Sequence, residues 1–537
     1  ETRHTSMAST EISRLVSEID AGKLKKLLQL IEAPSPEPEY VPAKTLDESA
    51  LVSGHLYLRI GVLGGRAFLG QLAEERASNV LSDFQVHVAF RSHRGSSSRA
   101  PAAVEPQFHS RITFELGELP STRDEWAFLL DRGICATGDE VADPPPLDSA
   151  ATMLHLNVTR QMAGHGSPRR ELIATASLDW RHSLLHDGVF AVELIAAGPD
   201  SVLQGTGGIL HLRMELQAGG DSETQIELPF TSKEIEESVD KTAKDAANRT
   251  RAFVLYARRW WAEYTNIDPL IDQRRTCLFA ADEAGGHRSV CSFVSPVRAE
   301  RLLHSPQDAA RFVSLIPFER SYGVGVRKRH ETWHNACAFL SRGAGDVEDH
   351  AVLLCSLLLG FGLDAYVVLG TIRGDRVLTA ENETAKQIDD QARDHAWVVT
   401  FARTADSVGM KVSFWESLTG QRYELGSKHR SHPYVSVGCV FNDAAFFGNK
   451  QKTDRVGRCN WDLQDEHSWK RMDQKMLDAL PRPGPGPHLG LQLPTITAAV
   501  EERRIEDILR SEIAKWRQDF GLKTTFDNAL SFTFSTA

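Results

Sequence analysis

The sequence contains few cysteines, and none of them has the spacing that metal or redox sites use. There are seven among 537 residues, and no two of them form a Cys-x-x-Cys pair. An odd number without such pairs indicates neither a disulfide framework nor a cysteine-based zinc site, and it fits a reducing intracellular compartment. We predict free thiols and, for the whole chain, no metal and no cofactor. The cysteines are Cys135, Cys277, Cys291, Cys337, Cys355, Cys439 and Cys459.

The chain also lacks an excess of basic residues. Its 61 lysines and arginines face 72 acidic residues, which gives a formal net charge of −11. Nucleic acid is therefore not expected as the main partner. With 41% hydrophobic and 25% charged residues, the composition is that of a soluble globular protein. Because 537 residues are too many for one ordinary domain, two or three domains are predicted.

Long hydrophobic runs are also scarce, and one segment approaches the length of a membrane span. Residues 351–370 carry a single charge, Asp364. Gly360 and Gly362 interrupt this run near its middle, and an acidic turn precedes it. We interpret the segment as a buried helix followed by a buried strand over residues 365–369, and we predict no transmembrane span.

The N-terminal segment, residues 7–34 counted from Met7, carries two short amphipathic patterns. Isoleucine, leucine and valine recur at helical spacing before and after Gly22, which favours a pair of helices. These helices could form a hairpin, dock on their own domain or bind a partner. A proline-rich linker over residues 34–42 follows.

Between residues 45 and 220 the hydrophobic period changes to two, which is typical of strands. Seven such stretches have no helical pattern between them, and they predict an all-β sandwich. The strand lengths, and a last strand that returns after a glycine-rich loop, resemble a C2 domain. Polar loops are expected at residues 93–105 and 136–148. The strand candidates begin at His55, Phe84, Phe108, Met153, Glu171, Gly188 and Gly207.

The aspartates of this region do not have the arrangement of a calcium site. C2 domains that bind calcium line their loops with several aspartates, because a hard cation needs many carboxylate oxygens. Here the aspartates are scattered, and no Asp-x-Asp pair occurs. We predict no calcium, and protein binding is the favoured role. Phospholipid contact is the alternative, and it would use Arg91, Arg94 and Arg99.

The second domain, residues 225–480, is predicted to mix helices and strands. Charged amphipathic patterns predict helices over residues 232–264, 306–315 and 330–340. The sequence Gly-Asp-Val-Glu-Asp-His-Ala follows from position 345. Its first aspartate, Asp346, can cap the helix that begins the long apolar run.

Three residues of this domain have the order of a catalytic triad. Val347 stands at the N-terminus of that helix, where the dipole would lower the pKa of a nucleophilic thiol. His395 follows on a predicted strand 48 residues later (395 − 347), and Glu416 ends the next strand after another 21 (416 − 395). This is the order of transglutaminase-like and papain-like Cys-His-Asp sites. In such sites histidine takes the thiol proton and the carboxylate orients the histidine.

Long ungapped segments also resemble the centrosomal protein of 76 kDa family, most specifically between residues 250 and 450. The resemblance implies N-terminal helices, a C2 domain and an α+β transglutaminase-like (papain-like) domain. It further implies a cytoplasmic, cytoskeletal protein of the centrosome, centriole, basal body and cilium that restrains centriole duplication. The family's chain continues further, so the helical extension at residues 490–537 is expected to be truncated. The resembling segments are residues 256–261, 296–303, 309–313, 345–363, 414–420, 438–442 and 447–449.

The sequence departs from this pattern at one position. Transglutaminase-like sites have cysteine in Gly-Asp-Cys-Glu-Asp-His-Ala, and this chain has Val347. Valine cannot form a thiolate, so covalent catalysis is lost. Cys355 cannot replace it, because it lies two helical turns deeper in an apolar run. We predict a pseudoenzyme in which His395 and Glu416 remain as a relic of the triad.

The favoured hypothesis is a non-catalytic scaffold, and two alternatives stand beside it. The scaffold would bind centriolar proteins and hold an extended peptide, such as an acidic tubulin tail, in its cleft. An active Cys-His-Glu thiol peptidase or transglutaminase would need Cys337 or Cys439 beside His395. A metal-assisted hydrolase would use His350, His395 and Glu416, without a further carboxylate at metal spacing.

Overall fold

The computed structural model describes most of residues 51–480 and one helix near the C-terminus. The chain forms two compact units, one of residues 43–491 and one of residues 1–42 with 492–537. The helices expected over residues 7–34 lie outside the described residues. Those described are 51–68, 82–133, 135, 152–162, 169–185, 188–197, 206–220, 226, 228–299, 303–319, 332–373, 392–403, 410–427, 432–480, 489 and 498–526.

The first part of the larger unit is a β-sandwich. Its strands pair antiparallel in the order β3-β2-β6-β7-β8-β9-β1-β5, with β4 beside β2. The seven predicted strands are confirmed. The strands are β1 (His55–Arg66), β2 (Ser82–Phe90), β3 (His93–Ser96), β4 (Ala100–Pro101), β5 (Gln107–Glu118), β6 (Met153–Met162), β7 (Arg169–Asp179), β8 (Val189–Ala196) and β9 (Thr206–Ala218).

The sheet closes into a sandwich because its two end strands face each other. His93 in β3 stacks on Phe114 in β5, with ring centroids 5.6 Å apart. The loop expected over residues 93–105 was wrong, since β3 and β4 lie within it. Side-chain hydrogen bonds hold this polar segment to β2: the Ser97 hydroxyl accepts from the Val86 N–H at 3.0 Å, and the Gln85 amide donates to the Ser97 carbonyl at 2.9 Å. Because polar hydrogen bonds hold these strands, their residues do not alternate between apolar and polar, and the sequence pattern did not indicate strands here.

A helix, α1 (Arg123–Arg132), interrupts the sandwich between β5 and β6, where no helical pattern was expected. Its start is a capping box, in which Thr122 and Glu125 each bind the other's backbone N–H. Gly133 ends it in the left-handed conformation, with φ of 66°. The helix has ten residues and buries only three of them. Its apolar residues are therefore too few to show a helical repeat, and the capping box was not recognised in the sequence.

A long helix, α2 (Ser232–Thr265), connects the sandwich to the second domain and confirms the helix predicted there. Thr231 and Glu234 form its capping box. Near its start Ile235 and Val239 are buried in the core of the sandwich. Near its end Phe253 and Ala257, among others, enter the core of the second domain. No side chain between these two groups is buried, so the middle of α2 bridges the domains through solvent.

The second domain has a seven-stranded antiparallel sheet in the order β15-β14-β13-β12-β16-β17-β18, and β10 pairs with β11 apart from it. Its strands are β10 (Phe279–Ala281), β11 (His287–Ser289), β12 (Asp364–Ile372), β13 (Arg393–Arg403), β14 (Met410–Trp415), β15 (Arg422–Glu424), β16 (Tyr434–Phe441), β17 (Phe446–Asn449) and β18 (Trp469–Arg471). Its helices are α3 (Pro306–Ser314), α4 (Ala336–Arg342), α5 (Val347–Gly360) and α6 (Gln474–Asp478).

The sheet separates two hydrophobic cores. Helix α5 is buried nearly all round, as predicted, and it lies in one core with Ala396 and Val398 of β13. The alternate residues of the same strand, Trp397 and Val399, belong to the core on the other face. A strand turns successive side chains to opposite faces, so β13 contributes to both.

Helix α4 begins later than the sequence pattern indicated. The prediction started it at residue 330, and the structure starts it at Ala336 with Asn335 as its N-cap. The main-chain N–H groups of His334 and Asn335 donate to the carboxylates of Asp349 and Glu283. These tertiary hydrogen bonds compete with helix formation before residue 336, and sequence periodicity does not report them.

Helix α4 also joins the two domains of the larger unit. Ala338 is fully buried and packs with Leu172 of β7 and with Ala197, which follows β8. Arg94 of the sandwich donates to the main-chain carbonyl of Leu340 at 3.4 Å. The sandwich therefore packs on the helix that precedes α5 in the chain.

The smaller unit contributes one described helix, α7 (Ala498–Gln518), within the range predicted for it. Among the residues that the structure describes, no helix is long and apolar enough to cross a membrane.

Candidate functional site

The start of α5 is fixed by a reciprocal capping box. The Asp346 side chain accepts from the Asp349 N–H, and the Asp349 side chain accepts from the Asp346 N–H, each at 3.2 Å. Carboxylates here also suit the positive end of the helix dipole. Gly345 precedes the cap, and a Cβ at this position would lie 2.5 Å from Asp349 Oδ2 and 2.6 Å from a Phe339 ring carbon. The predicted cap is confirmed, and the glycine is required by close packing.

Asp349 has a second partner, His334. Its two carboxylate oxygens accept from the His334 main-chain N–H at 2.8 Å and from the ring Nδ1 at 2.9 Å. Burial opposes the charge on His334, but the Asp349 carboxylate outweighs it, so the pKa of His334 is raised. Burial likewise opposes ionisation of Asp349, and His334 with the surrounding N–H groups lowers its pKa overall. This buried pair ties the start of α5 to the segment before α4.

The structure brings His395 and Glu416 together. Nε2 of His395 donates to Oε2 of Glu416 at 2.9 Å, and both side chains are buried. Glu416 sits in a tight turn, in which its N–H donates to the Gln421 carbonyl and its carbonyl accepts from the Gly420 N–H. Its other oxygen, Oε1, accepts from the Leu418 N–H at 3.3 Å. The carboxylate is thus positioned by backbone as well as by side chains.

A tyrosine completes this polar group. The Tyr434 hydroxyl donates to Oε2 of Glu416 at 3.0 Å. Burial, followed by the charge of Glu416, raises the pKa of Tyr434 well above its usual value. The Tyr434 ring stacks on Trp397 with centroids 4.3 Å apart, and the His395 ring lies 6.4 Å from Trp397 in nearly parallel orientation. We refer to His395, Glu416, Tyr434 and Trp397 as the histidine cluster.

Two buried polar groups, one in this cluster and one next to it, lack a partner. The Trp397 indole N–H and the Ser417 hydroxyl have no hydrogen bond among the described residues, although both residues are fully buried. Buried polar groups in folded proteins nearly always have hydrogen-bond partners.

Val347 is the first residue of α5, as expected. It is half-buried and packs against the core that contains α5. His395 is on the sheet face of Trp397, while its neighbour Ala396 faces α5.

An arginine links the start of α5 to the strand that carries His395. Arg275 contacts Glu348 in the first turn of α5 at 3.2 Å and Asp394 in β13 at 3.3 Å. Glu348 follows Val347, and Asp394 precedes His395. The guanidinium thereby holds the helix terminus beside the beginning of β13.

No cysteine stands in for the missing nucleophile in the described part of the chain. Cys355 is fully buried in α5, and burial raises its pKa well above the usual value. Cys337 and Cys439 are buried as well, and burial raises the pKa of each to about 12. No sulfur is hydrogen-bonded to His395 among the described residues.

The residues of the metal-hydrolase alternative do not come together. Nδ1 of His350 lies 2.6 Å from the Asp346 carbonyl oxygen, and Nε2 lies 2.9 Å from that of Ile316. Both ring nitrogens face main-chain carbonyl oxygens, so neither is open to a metal. Within the described ranges, no group of three histidine, cysteine or acidic side chains could hold a metal ion.

Sequence reasoning missed Tyr434, Arg275 and His334. Tyr434 and Arg275 lie in segments without a recognised motif, and His334 lies in the segment expected to be a helix over residues 330–340. Each of the three contacts a residue that is distant in the sequence, and the spacing of residues does not predict such contacts.

Comparison with known protein families supports both domains. Residues 50–220 match the model of the CEP76 C2 domain. Residues 331–472 match the model of the CEP76 peptidase-like domain. The second match includes Val347 and the whole histidine cluster.

Curated relatives cover nearly the whole chain. The human centrosomal protein of 76 kDa is 34% identical over 514 residues, which is 92% of this chain and 71% of the relative. The chain belongs to the centrosomal protein of 76 kDa family. The zebrafish (Danio rerio) member is 34% identical over 90% of this chain and 68% of its own length. Human protein CC2D2B is 27% identical over 39% of this chain and 13% of its own length.

Membership of the centrosomal protein of 76 kDa family confirms the predicted resemblance and the fold class, a C2-like sandwich followed by a peptidase-like domain. The name of the family places its members at the centrosome, in agreement with the localisation expected from the sequence.

Proposed function

We propose that this chain is a non-catalytic scaffold of the centriole or basal body, whose degenerate transglutaminase-like cleft binds an extended peptide. In this proposal Val347, His395 and Glu416 are the relic of a triad that has lost its nucleophile. The domains at residues 45–220 and 225–480 act together in binding centriolar proteins and in controlling centriole duplication. A tubulin tail is one extended acidic peptide that such a cleft would accept.

The observation that carries the proposal is the hydrogen-bonded pair without a nucleophile. His395 and Glu416 keep the geometry by which a carboxylate orients a histidine. The residue at the helix terminus is Val347, which has no proton to give and no electron pair to attack with. A hydrogen-bonded histidine and glutamate without a nucleophile support a binding role better than a catalytic one.

The unpartnered donors beside the cluster support peptide binding. An extended peptide presents a main-chain carbonyl at every residue, and the Trp397 indole and Ser417 hydroxyl can donate to such oxygens. Both donors are fully buried, so a peptide reaches them only if the covering side chains move aside, and the hydrogen bonds would then remove a desolvation penalty.

The sandwich is proposed to bind protein and not calcium. The Asp179 carboxylate, one of the scattered aspartates, accepts from Arg181 through both oxygens at 2.7 and 3.0 Å. The Thr152 hydroxyl donates to the same carboxylate at 3.0 Å. Because both carboxylate oxygens of Asp179 already accept hydrogen bonds, a structural role for this aspartate is favoured over a role as a calcium ligand.

Partner binding tests the scaffold proposal. The full chain and a Trp397→Phe, Ser417→Ala double variant would be expressed in ciliated cells and their partners captured by proximity labelling. Trp397→Phe removes the indole N–H but keeps an aromatic ring, and Ser417→Ala removes only the hydroxyl. We expect the double variant to lose a defined subset of centriolar partners while both proteins remain at the centrosome. An unchanged partner set would remove the cleft from the proposal.

Enzymatic assays test the claim that the chain is not catalytic. The purified chain would be incubated with peptide libraries and with a glutamine–amine pair, and cleavage or isopeptide formation followed by mass spectrometry. We expect neither product. A product that disappears in Cys337→Ser or Cys439→Ser would instead establish the active thiol enzyme as the function.

A further inference from the structure

The solvent face of α2 carries a stripe of positive charge in a protein whose net charge is −11. Between residues 241 and 262 the helix has six basic residues and one acidic residue. At 100° per residue, Lys244, Arg251 and Arg258 share the face opposite the buried residues, and Lys241 and Arg259 border it. All five are exposed. We call these five residues the basic stripe.

The stripe is not neutralised by its surroundings. Arg251 and Arg258 have no ion pair among the described residues. Lys244 pairs with Asp240 at 3.3 Å, but both side chains are largely exposed, so the pair is weak. Asp245 is the single acid within the segment, and it lies toward the side of the helix. The face thus presents several cations that are free to meet anionic groups.

An apolar residue stands in the middle of the stripe. Leu255 is 61% exposed, although it lies on a helix whose other large apolar side chains are mostly buried. It falls between Arg251 and Arg258 on the same face, at spacings of four and three residues. A leucine among cations provides a contact for an apolar side chain of a partner.

The stripe leads into a cleft at the end of the helix. A cavity of about 430 Å³ opens between α2 and β18, and Arg259 lines it together with Tyr256, Trp260, Lys470 and Arg471. Lys470 pairs with Glu263 at 2.9 Å, and its ammonium lies 5.6 Å from the Trp260 ring centroid. The cleft therefore combines cationic groups with an aromatic wall and has room for one large side chain.

We propose that the basic stripe and this cleft form a docking site for an acidic polypeptide segment that contains an aromatic or large aliphatic residue. From Lys241 to Arg259 the stripe is about 27 Å long at 1.5 Å per residue, which an extended peptide of about eight residues spans. The acidic side chains meet the arginines, and the apolar side chain enters the cleft or packs on Leu255. This site is separate from the histidine cluster and does not depend on the proposed function.

The shape of the site favours a peptide over a membrane surface. A convex helix beside a recess offers a bilayer few simultaneous contacts. A peptide can place one apolar side chain in the recess while its carboxylates follow the helix. The binding of such a peptide should weaken with salt, because exposed charges are screened within about 8 Å at physiological ionic strength.

Fluorescence anisotropy with the full chain tests the proposal. The probe is a labelled nonapeptide of eight glutamates around a central phenylalanine, and its control has glutamine in place of glutamate. We expect the acidic probe alone to bind, with affinity that falls as salt is raised. Combined Arg251→Glu, Arg258→Glu and Arg259→Glu substitutions should weaken binding about tenfold or more. Leu255→Ser should reduce the advantage of the phenylalanine probe over one made only of glutamate.

A matched variant separates the stripe from net charge. Arg66→Glu, Lys452→Glu and Arg458→Glu together change the net charge by the same amount at other exposed positions. This variant should bind within about twofold of the unchanged chain, and so should His395→Ala. Circular dichroism verifies that each variant is folded. Equal loss in both triple variants, no binding of the acidic probe, or tighter binding to phosphatidylserine vesicles than to the probe would each overturn the proposal.

Discussion

Nε2 of His395 donates to Oε2 of Glu416 at 2.9 Å, and the same oxygen accepts from the Tyr434 hydroxyl at 3.0 Å. The carboxylate therefore serves two buried donors at one atom. In a catalytic triad the second ring nitrogen of the histidine would serve a nucleophile. Here Nδ1 of His395 has no hydrogen bond among the described residues, and the helix terminus carries Val347.

A cysteine introduced at Val347 should react faster than Cys337, Cys355 and Cys439. A helix N-terminus lowers the pKa of a thiol, whereas burial raises the pKa of Cys337, Cys355 and Cys439. Alkylation by iodoacetamide near neutral pH, followed by intact mass and peptide mapping, should therefore modify position 347 of the Val347→Cys variant before any of these three cysteines. Val347→Ala is the control and should react like the unchanged chain. Faster labelling at any of the three buried cysteines would contradict this expectation.

Replacement of Tyr434 by phenylalanine should cost less stability than replacement by alanine. Phenylalanine loses the hydrogen bond to Glu416, about 1.5–3 kcal/mol for a bond to a charged group, and keeps the stack on Trp397. Alanine also loses the stacked ring, and large-to-small changes of aromatic core residues cost about 3–5 kcal/mol. Urea unfolding followed by tryptophan fluorescence measures both. Equal losses in the two variants would show that the ring contributes nothing to the cluster.

The His334–Asp349 pair should make stability depend on pH in a specific direction. Because the folded pKa of His334 is raised, its contribution is present in full below the unfolded value of about 6.5 and is lost as pH rises through the folded value. Asp349 has a lowered pKa, so its contribution is present above about 3.9 and is lost as pH falls through the folded value.

His334→Gln should therefore destabilise most at mildly acidic pH and less at alkaline pH. At acidic pH, removing one partner of a buried pair should cost about 3–5 kcal/mol. Denaturant titrations at several pH values measure the difference from the unchanged chain. His467→Gln is the control, since the His467 side chain is 100% exposed. A pH-independent effect of His334→Gln would show that packing, and not charge, accounts for the loss.

Ala338→Glu should separate the sandwich from the peptidase-like domain. Ala338 is fully buried against Leu172 and Ala197, and an unpaired buried charge costs several kcal/mol. We expect faster hydrogen exchange in β6 and β7 and earlier cleavage between the domains by limited proteolysis. Ala243→Glu, at an exposed position of α2, should change neither. Unaltered exchange in the Ala338 variant would mean that α4 does not hold the domains together.

The regular parts of the fold were accessible from the sequence. Seven strands of the sandwich, helix α2 and the start of α5 were predicted because each has a strong period or cap of its own. Helix α1 and strands β3 and β4 were missed. The capping box of Thr122 and Glu125 belongs to a helix too short for a clear period, and β3 and β4 depend on side-chain bonds to β2.

The candidate site was likewise predicted in part from the sequence and in part only seen in the structure. The sequence by itself determined which chemistry is present: valine in place of a thiol, a histidine on one strand and a carboxylate after the next. Tertiary structure decided how these groups meet. It joined His395 to Glu416 by a hydrogen bond, packed Val347 against the core that contains α5, and added Tyr434, Arg275 and His334 from distant segments. The physical reason is that a hydrogen bond or ion pair depends on distance in space, whereas residue order constrains only neighbours along the chain.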